Sequence, residues 1–301
     1  MRYYSLNDYC KKTFGEKVYK LSLNAGMTCP NRDGSLSYTG CFYCSEGGSG
    51  DFASDSSLPI AAQLSEARRR LSSKTDCRKF IAYFQAFTNT YAPVEYLEKI
   101  FYEAISDPSV CVLSIGTRTD CFNDEIYDLL SRLNNIKPVW IELGLQSIHQ
   151  STLDAMNTHT KVSDFTVVCN ELNKRNIKVI AHLILGLPGE TKEMMLESVD
   201  FAAKSNIFGI KLQLLHVLRN TKLAELYEKD PFPLFSLEEY CDFIVDCIER
   251  LPPGMVIHRM TGDGPRKLLI APMWSTDKKR VLNTINQNFI KRNTYQGRFF
   301  M

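Results

Sequence analysis

Six apolar, β-rich runs alternate with helical patterns along most of this chain, and that alternation restricts its fold more than any other feature. The runs are Val18–Leu23, Lys79–Phe84, Val110–Ile115, Val139–Leu143, Lys178–Leu185 and Gly209–Leu214. Helical patterns stand between them at Pro59–Leu71, Pro93–Ile105, Asp124–Leu133, Ser163–Lys174 and Lys192–Lys204, with a short one from Gln150. Strands that read as continuous apolar runs are buried on both faces, and strand–helix repeats place them in a parallel sheet. Right-handed crossovers wind every unit the same way, so a closed or nearly closed (βα) barrel is the simplest outcome. An open doubly wound sheet is the alternative. Against it, no G-x-G-x-x-G turn follows the first strand.

A cysteine loop stands in that place instead. Cys29 opens the run Cys29-Pro30-Asn31-Arg32-Asp33-Gly34, and Cys41-Phe42-Tyr43-Cys44 closes it, with no histidine nearby. Three thiolates can anchor three irons of a [4Fe–4S] cluster, because soft sulfur ligands suit iron–sulfur centres. The fourth iron then lacks a protein ligand and is open to chemistry. The competing reading is a structural zinc site in a binding protein, which needs a fourth ligand. The next cysteine downstream is Cys77 and the first histidine is His149, both far along the chain.

Composition narrows the class further. A chain of 301 residues can bury a large core, and 44% apolar with 23% charged residues is ordinary for a soluble globular protein. The net charge of +2 forces no nucleic-acid reading, although a local basic face would suffice for one. No apolar run is long enough to span a membrane, and the first residues carry no apolar signal core, so a cytoplasmic protein is expected. Ten cysteines without a secretion signal argue against a disulfide framework. Cys10, Cys77, Cys111, Cys121, Cys169, Cys241 and Cys247 are scattered and read as small buried hydrophobes.

Sites of parallel barrels lie where the strands end. After the second strand comes Gln85-Ala86-Phe87-Thr88-Asn89-Thr90-Tyr91, polar for a segment leaving a core strand. Gly116-Thr117-Arg118-Thr119-Asp120 follows the third. The fourth carries Glu142 and then Gly144-Leu145-Gln146, and the fifth carries His182 and then Gly186-Leu187-Pro188-Gly189-Glu190-Thr191. The sixth carries Lys211, Gln213 and His216. Plainer readings stand beside the functional ones. The Gly-Leu-Pro-Gly stretch reads equally as a tight turn before a Thr191 cap. His182 reads equally as a satisfied core histidine, and Arg118 and Asp120 as partners of one another. Glu142 is harder to set aside, since a carboxylate inside Val139-Trp140-Ile141-Glu142-Leu143 is costly to bury without a partner.

Residues 236–301 form a C-terminal extension, a candidate substrate-binding element added to a barrel core of residues 1–235. Ser236-Leu237-Glu238-Glu239 is a capping box opening a helix to Leu251. Val256-Ile257-His258-Arg259 reads as one more strand, and a last helix near Asp277–Lys291 carries Lys278, Lys279, Arg280, Lys291 and Arg292. With Tyr295, Phe299 and Phe300 nearby, and further basic groups at Arg68, Arg69, Arg70, Arg78 and Lys79, such a tail could contact phosphates and stack on bases. A solvated helix face with a frayed terminus is the other reading.

At this point the residues resemble a known superfamily. A three-cysteine loop after the first strand, followed by β/α units with polar strand ends, is similar to the radical S-adenosylmethionine (SAM) enzymes. The gap between Cys29 and Cys41 is longer than usual there, and resembles the YhcC/YtqA-like branch related to the catalytic subunit of elongator. Phe14-Gly15-Glu16-Lys17-Val18, Tyr83-Phe84-Gln85-Ala86-Phe87-Thr88-Asn89-Thr90-Tyr91, Glu142-Leu143-Gly144-Leu145-Gln146, Thr261-Gly262-Asp263-Gly264-Pro265 and Ala271-Pro272-Met273-Trp274 also look like that branch. The resemblance implies a partial (βα)6 radical SAM barrel with N- and C-terminal additions. It implies a [4Fe–4S] cluster on Cys29, Cys41 and Cys44, with SAM on the open iron. An electron from a reduced flavodoxin or ferredoxin then cleaves SAM to methionine and a 5′-deoxyadenosyl radical. By position, Gln85, Thr88 and Asn89 are candidates for the SAM amino group, although the Gly-Gly-Glu usual there is absent. Arg118 is a candidate for the SAM carboxylate, Glu142 or Asp120 for the ribose, and the backbone near Tyr43 and Leu187 for the adenine. The branch further implies tRNA as substrate, with 5-carboxymethylaminomethyl wobble uridine converted to the 5-aminomethyl form before a separate methyltransferase acts. Within the enzyme class, a small metabolite, a porphyrinogen or a protein side chain is the alternative substrate.

Overall fold

Ser5 starts the first helix by accepting from the Asp8 amide while Asp8 returns a bond to the Ser5 amide, satisfying two otherwise orphaned donors. In the computed structural model, which describes residues 2–72, 76–262 and 264–300, this is α1 (Leu6–Phe14). The strand–helix series follows: β1 (Tyr19–Leu23), α2 (Ile60–Ser72), β2 (Phe80–Phe84), α3 (Val94–Ser106), β3 (Val110–Thr117), α4 (Asp124–Asn134) and β4 (Val139–Gln146). Then come α5 (Gln150–Ala155), α6 (Val162–Lys174), β5 (Lys178–Leu185), α7 (Lys192–Lys204), β6 (Gly209–Leu214) and a short β7 (Val217–Leu218). The chain ends with α8 (Lys222–Lys229), α9 (Leu237–Glu249), β8 (Val256–Arg259), β9 (Leu269–Ala271), a 3₁₀ turn at Met273–Thr276 and α10 (Lys278–Lys291).

The main sheet has the strand order β1-β2-β3-β4-β5-β6-β8, and all its pairings are parallel. It curls into a half-barrel with β1 and β8 as its edges. A closed barrel is therefore not formed, and Val256–Arg259 supplies the seventh strand. β7 and β9 pair antiparallel in a separate two-stranded sheet.

The core lies between the sheet and its outer helices, where Leu97, Phe101, Leu130, Phe165, Leu172 and Val199 are buried. Full burial of each such side chain contributes about 1.5–3 kcal/mol. A second apolar layer seals the N-terminal end of the sheet. There Ile81, Val112, Trp140 and Ile180 pack against Leu6, Tyr9 and Phe14 of α1. The other end stays open because the strands carry polar and glycine residues there.

Of the scattered cysteines, Cys10, Cys121, Cys169, Cys241 and Cys247 are buried, whereas Cys77 and Cys111 are only partly so. Among the described residues no helix is long and apolar enough to cross a membrane.

Candidate active site

Strand alternation builds the site. On the inward face, Tyr83 of β2 and Gln85 just beyond its end, Glu142 and Gly144 of β4, His182 and Ile184 of β5, and Lys211 and Gln213 of β6 are pairs two residues apart, with Gly116 contributed by β3. These side chains line a cavity of about 250 Å³ together with Cys29, Cys41, Cys44, Arg118 and His216. Gly116 and Gly144 keep its middle layer open. A Cβ at Gly116 would lie 3.2 Å from the Phe84 carbonyl, and one at Gly144 would lie 2.7 Å from Gln146 Nε2.

The cysteine loop is held shut by its own polar residues. Arg32 donates to the carbonyls of Cys44 at 3.1 Å and Ser45 at 2.6 Å, and its side chain fills the space a Cβ on Gly40 would take. Asn31 Nδ2 donates to the Asn157 carbonyl at 2.6 Å and lies 3.5 Å from Cys41 Sγ. Asn157, in the left-handed region at φ 55°, donates back to the Gly40 carbonyl at 2.9 Å. The Phe42 amide donates to Met156, and the Leu223 amide to Phe42. The loop is thus tied to the α5–α6 turn and to α8.

All three loop thiols are free. A hydrogen bond from Cys44, the Arg118 charge and the Asn31 amide lower Cys41 to about 6 against the opposing effect of burial. The Cys44 thiol, donor in that bond and buried, is pushed up. Arg118 holds Asp120 through a forked pair at 2.8 and 2.6 Å and also donates to the Thr158 carbonyl at 2.9 Å. Burial works against its charge, but Asp120 and the thiols of Cys41 and Cys29 raise it further.

Below this rim lies a buried ionic network. Glu142 accepts from Lys20 and, at 2.7 Å, from Ser114 on Oε1, and from Lys211 and, at 2.9 Å, from His182 on Oε2. Against the cost of burial, Lys20, Lys211 and His182 hold its carboxyl well below the usual carboxylate range. Lys20 and Lys211 both approach the Tyr83 ring, at 4.3 and 4.7 Å from its centroid. Burial and the Lys211 charge lower His182 to about 4, so it is a neutral donor to Glu142.

The expected site residues divide. Cys29, Cys41, Cys44, Tyr43, Gln85, Thr88, Arg118 and Glu142 line the cavity. Asn89, Asp120 and Leu187 do not line it. Asn89 is buried and staples two strands, its Nδ2 donating to the carbonyls of Phe84 at 3.2 Å and Gly116 at 2.9 Å. Asp120 is taken by Arg118, and Leu187 packs with Tyr43 in a small apolar cluster. Glu142 already has four donors, so a ribose hydroxyl could reach it only by displacing one. Asp263 lies outside the described residues. Sequence reasoning missed Lys20, Ser114, Arg32 and Asn157. Of these only Arg32 carried a local signal, a cation inside the cysteine loop opposite a glycine.

The donor set suits a [4Fe–4S] cluster and SAM. Three free thiols face one cavity, and two buried atoms of residues lining it, Gln146 Oε1 and His216 Nε2, have no hydrogen-bond partner among the described residues. Among the described residues no three His, Cys, Asp or Glu side chains form a group that could hold a metal ion.

A model of the radical SAM superfamily matches residues 28–202, and one of the radical SAM C-terminal domain matches residues 207–291. The chain belongs to the radical SAM superfamily. As a radical SAM enzyme it uses a [4Fe–4S] cluster and SAM. It is 42% identical to YtqA of Bacillus subtilis over 299 residues, 99% of this chain and 93% of that protein. It is 33% identical to YhcC of Escherichia coli K12 over 268 residues, 89% and 85% of the two chains. The fold is that of the archaeal Elp3 of Methanocaldococcus infernus, with a TM-score of 0.69 at 18% identity, covering 93% of this chain and 64% of that one.

Proposed function

We propose that this radical SAM enzyme acts on the wobble uridine of tRNA, taking 5-carboxymethylaminomethyl-uridine or its 2-thio form to the 5-aminomethyl product. The observation that carries the reading is a sequence relationship to tRNA-modifying proteins. The chain is 26% identical over 169 residues to the tRNA uridine(34) acetyltransferase of Methanocaldococcus jannaschii, 53% of this chain and 30% of that protein. It is 25% identical over 189 residues to human elongator complex protein 3, 60% and 32% of the two chains. The chain spans about a third of each, so the substrate is inferred through the shared radical SAM part alone.

In this reading Cys29, Cys41 and Cys44 hold the cluster. The cluster and SAM, when bound, supply the 5′-deoxyadenosyl radical that abstracts a substrate hydrogen. Arg118, already poised between Asp120 and the thiols, receives the SAM carboxylate. Gln85 and Thr88 face its amino group, and Tyr43 with the Leu187 backbone forms the apolar wall for adenine. The half-barrel excludes water from the reacting atoms. A reduced flavodoxin or ferredoxin donates the electron, and a separate methyltransferase consumes the aminomethyl product. Exposed Lys279 and Lys291 on α10, with Tyr295 and Phe299, offer phosphate and base contacts.

Nucleoside mass spectrometry of total tRNA from a strain lacking the protein tests the reading. The 5-carboxymethylaminomethyl nucleoside should accumulate and its aminomethyl products should disappear. An unchanged wobble-uridine profile, in a host shown to make these nucleosides by no second route, contradicts it.

A further inference from the structure

His216 lines the cavity but takes no part in the cluster or SAM contacts. Its Nε2 is buried and has no hydrogen-bond partner among the described residues, an unusual state for a buried polar atom. The fold reserves space for this ring. Gly262 and Gly264, from the C-terminal extension, both stand against it. A Cβ on Gly262 would collide with the imidazole, and one on Gly264 would lie 2.6 Å from its Nδ1. Neither glycine takes a left-handed φ, so backbone conformation does not require them. Their missing side chains make room for the histidine instead.

Its surroundings decide which ligand the ring can meet. Leu215, the residue before it, packs in the apolar cluster with Leu187 and Tyr43, the wall proposed for adenine. His216 packs against the glycines of the C-terminal extension instead. Burial, with the charges of Arg259 and Lys278, lowers it to about 4, so the ring is neutral at neutral pH. Gln213 of β6 lines the same cavity. Its Oε1 accepts from Arg259 at 3.5 Å, which leaves the amide Nε2 as the group it offers a ligand. An imidazole nitrogen that accepts, together with an amide that donates, matches an N–H next to a carbonyl. A phosphate or carboxylate has no hydrogen for the imidazole, and an amine has no acceptor for the amide. The N3–H and O4 of uracil supply both.

We propose that His216 and Gln213 read the Watson–Crick edge of the target uracil, His216 Nε2 accepting from N3–H and Gln213 Nε2 donating to O4. This rests on the wobble-uridine reading and deepens it by assigning the residues that recognise the base. A base in a single-stranded loop enters a cavity without breaking a pair, and its edge is then free to be read. C5 lies off that edge, so its substituent stays free for the radical. Cytosine presents the opposite pattern, an acceptor at N3 and donors at position 4, and is rejected by both residues.

The test uses SAM-loaded, unreduced holoenzyme, so that no turnover occurs. Its probes are anticodon stem-loops carrying 5-carboxymethylaminomethyl-uridine, the N3-methyl derivative of that base, or the cytidine with the same 5-substituent. Wild-type protein should bind the uridine stem-loop about tenfold more tightly than either of the others, the scale of a buried polar group left unsatisfied. His216→Ala should bind it about tenfold more weakly than wild type and no longer distinguish it from the N3-methyl form, with SAM affinity unchanged. Gln213→Leu should lose the preference over cytidine, and it carries the test should His216→Ala fail to fold. Iron content and thermal melts identify the folded variants. Equal binding of the three stem-loops by wild type overturns the assignment. So does a discrimination that persists in the folded variant meant to erase it, or a His216→Ala loss confined to SAM affinity. The wobble-uridine reading is decided separately by the nucleoside profile.

Discussion

His182 Nε2 lies 2.9 Å from Glu142 Oε2, a bond in which a neutral imidazole donates to a carboxylate already held by two lysines. The arrangement has a pH signature. Folding lowers His182 and His216 from the ordinary 6.5 to about 4, so the unfolded chain binds more protons than the folded one between those values. Stability from both groups is fully present above about pH 6.5 and is lost as the pH falls toward 4. Each histidine should cost about 2 kcal/mol at pH 5 relative to pH 7.5. Anaerobic urea unfolding at the two pH values measures this, and His182→Gln should remove roughly its own share of the difference. Identical unfolding free energies at pH 5 and 7.5 would show that neither ring is held neutral.

The loop clamp makes a second expectation. Arg32 joins the two ends of the cysteine loop through the Cys44 and Ser45 carbonyls. Arg32→Ala leaves those carbonyls without the guanidinium and opens space beside Gly40. Iron and sulfide per chain after anaerobic reconstitution should fall well below wild type, and limited proteolysis should cut first between residues 29 and 51. Full iron loading with an unchanged cleavage pattern would assign the loop's shape to its backbone alone.

Much of this fold was legible because strand–helix alternation is a long-range pattern made of local signals. The strands Lys79–Phe84 and Val110–Ile115 appear as β2 and β3, the latter running on to Thr117 because Gly116 and Thr117 still pair with Glu142 and Leu143. β4 likewise continues to Gln146 through Gly144 and His182. Helix α1 went unread although Ser5-x-x-Asp8 is a capping signal, because Asp replaces the usual Glu and the helix is short. The two-residue β7 has too little sequence to show a period. The cysteines announced themselves by spacing. Lys20 could not, since its partner Glu142 is 122 residues away and only the curl of the folded sheet brings them together. Asn89 was misleading for a related reason: an amide beside a strand end can serve the backbone as readily as a ligand.

The C-terminal charges divide by partner. Arg292 is engaged by Asp242 at 3.2 Å, Asp246 at 2.6 Å and Glu249 at 2.7 Å, which pins the end of α10 to α9. Arg292→Glu should therefore lower the melting temperature, as expected when one partner of a partly buried ion network is reversed. Lys279→Glu with Lys291→Glu should leave the melting temperature nearly unchanged and weaken tRNA binding, with a shallower dependence on salt. Filter binding across a salt series, set beside thermal melts, separates the two. Unaltered tRNA affinity in the double lysine variant would remove α10 from the RNA-binding surface.

The account rests most directly on one reaction. Anaerobically reconstituted protein, with reductant, SAM and tRNA bearing 5-carboxymethylaminomethyl-uridine, is assayed together for 5′-deoxyadenosine and for the modified nucleoside. The account predicts that both 5′-deoxyadenosine and 5-aminomethyl-uridine form. Cys29→Ala, Cys41→Ala and Cys44→Ala each abolish both products, and the buried Cys169→Ala keeps them. Formation of 5′-deoxyadenosine while the tRNA nucleoside stays unchanged would contradict the substrate. Retention of the cluster in Cys29→Ala with its loss in Cys169→Ala would contradict the site itself.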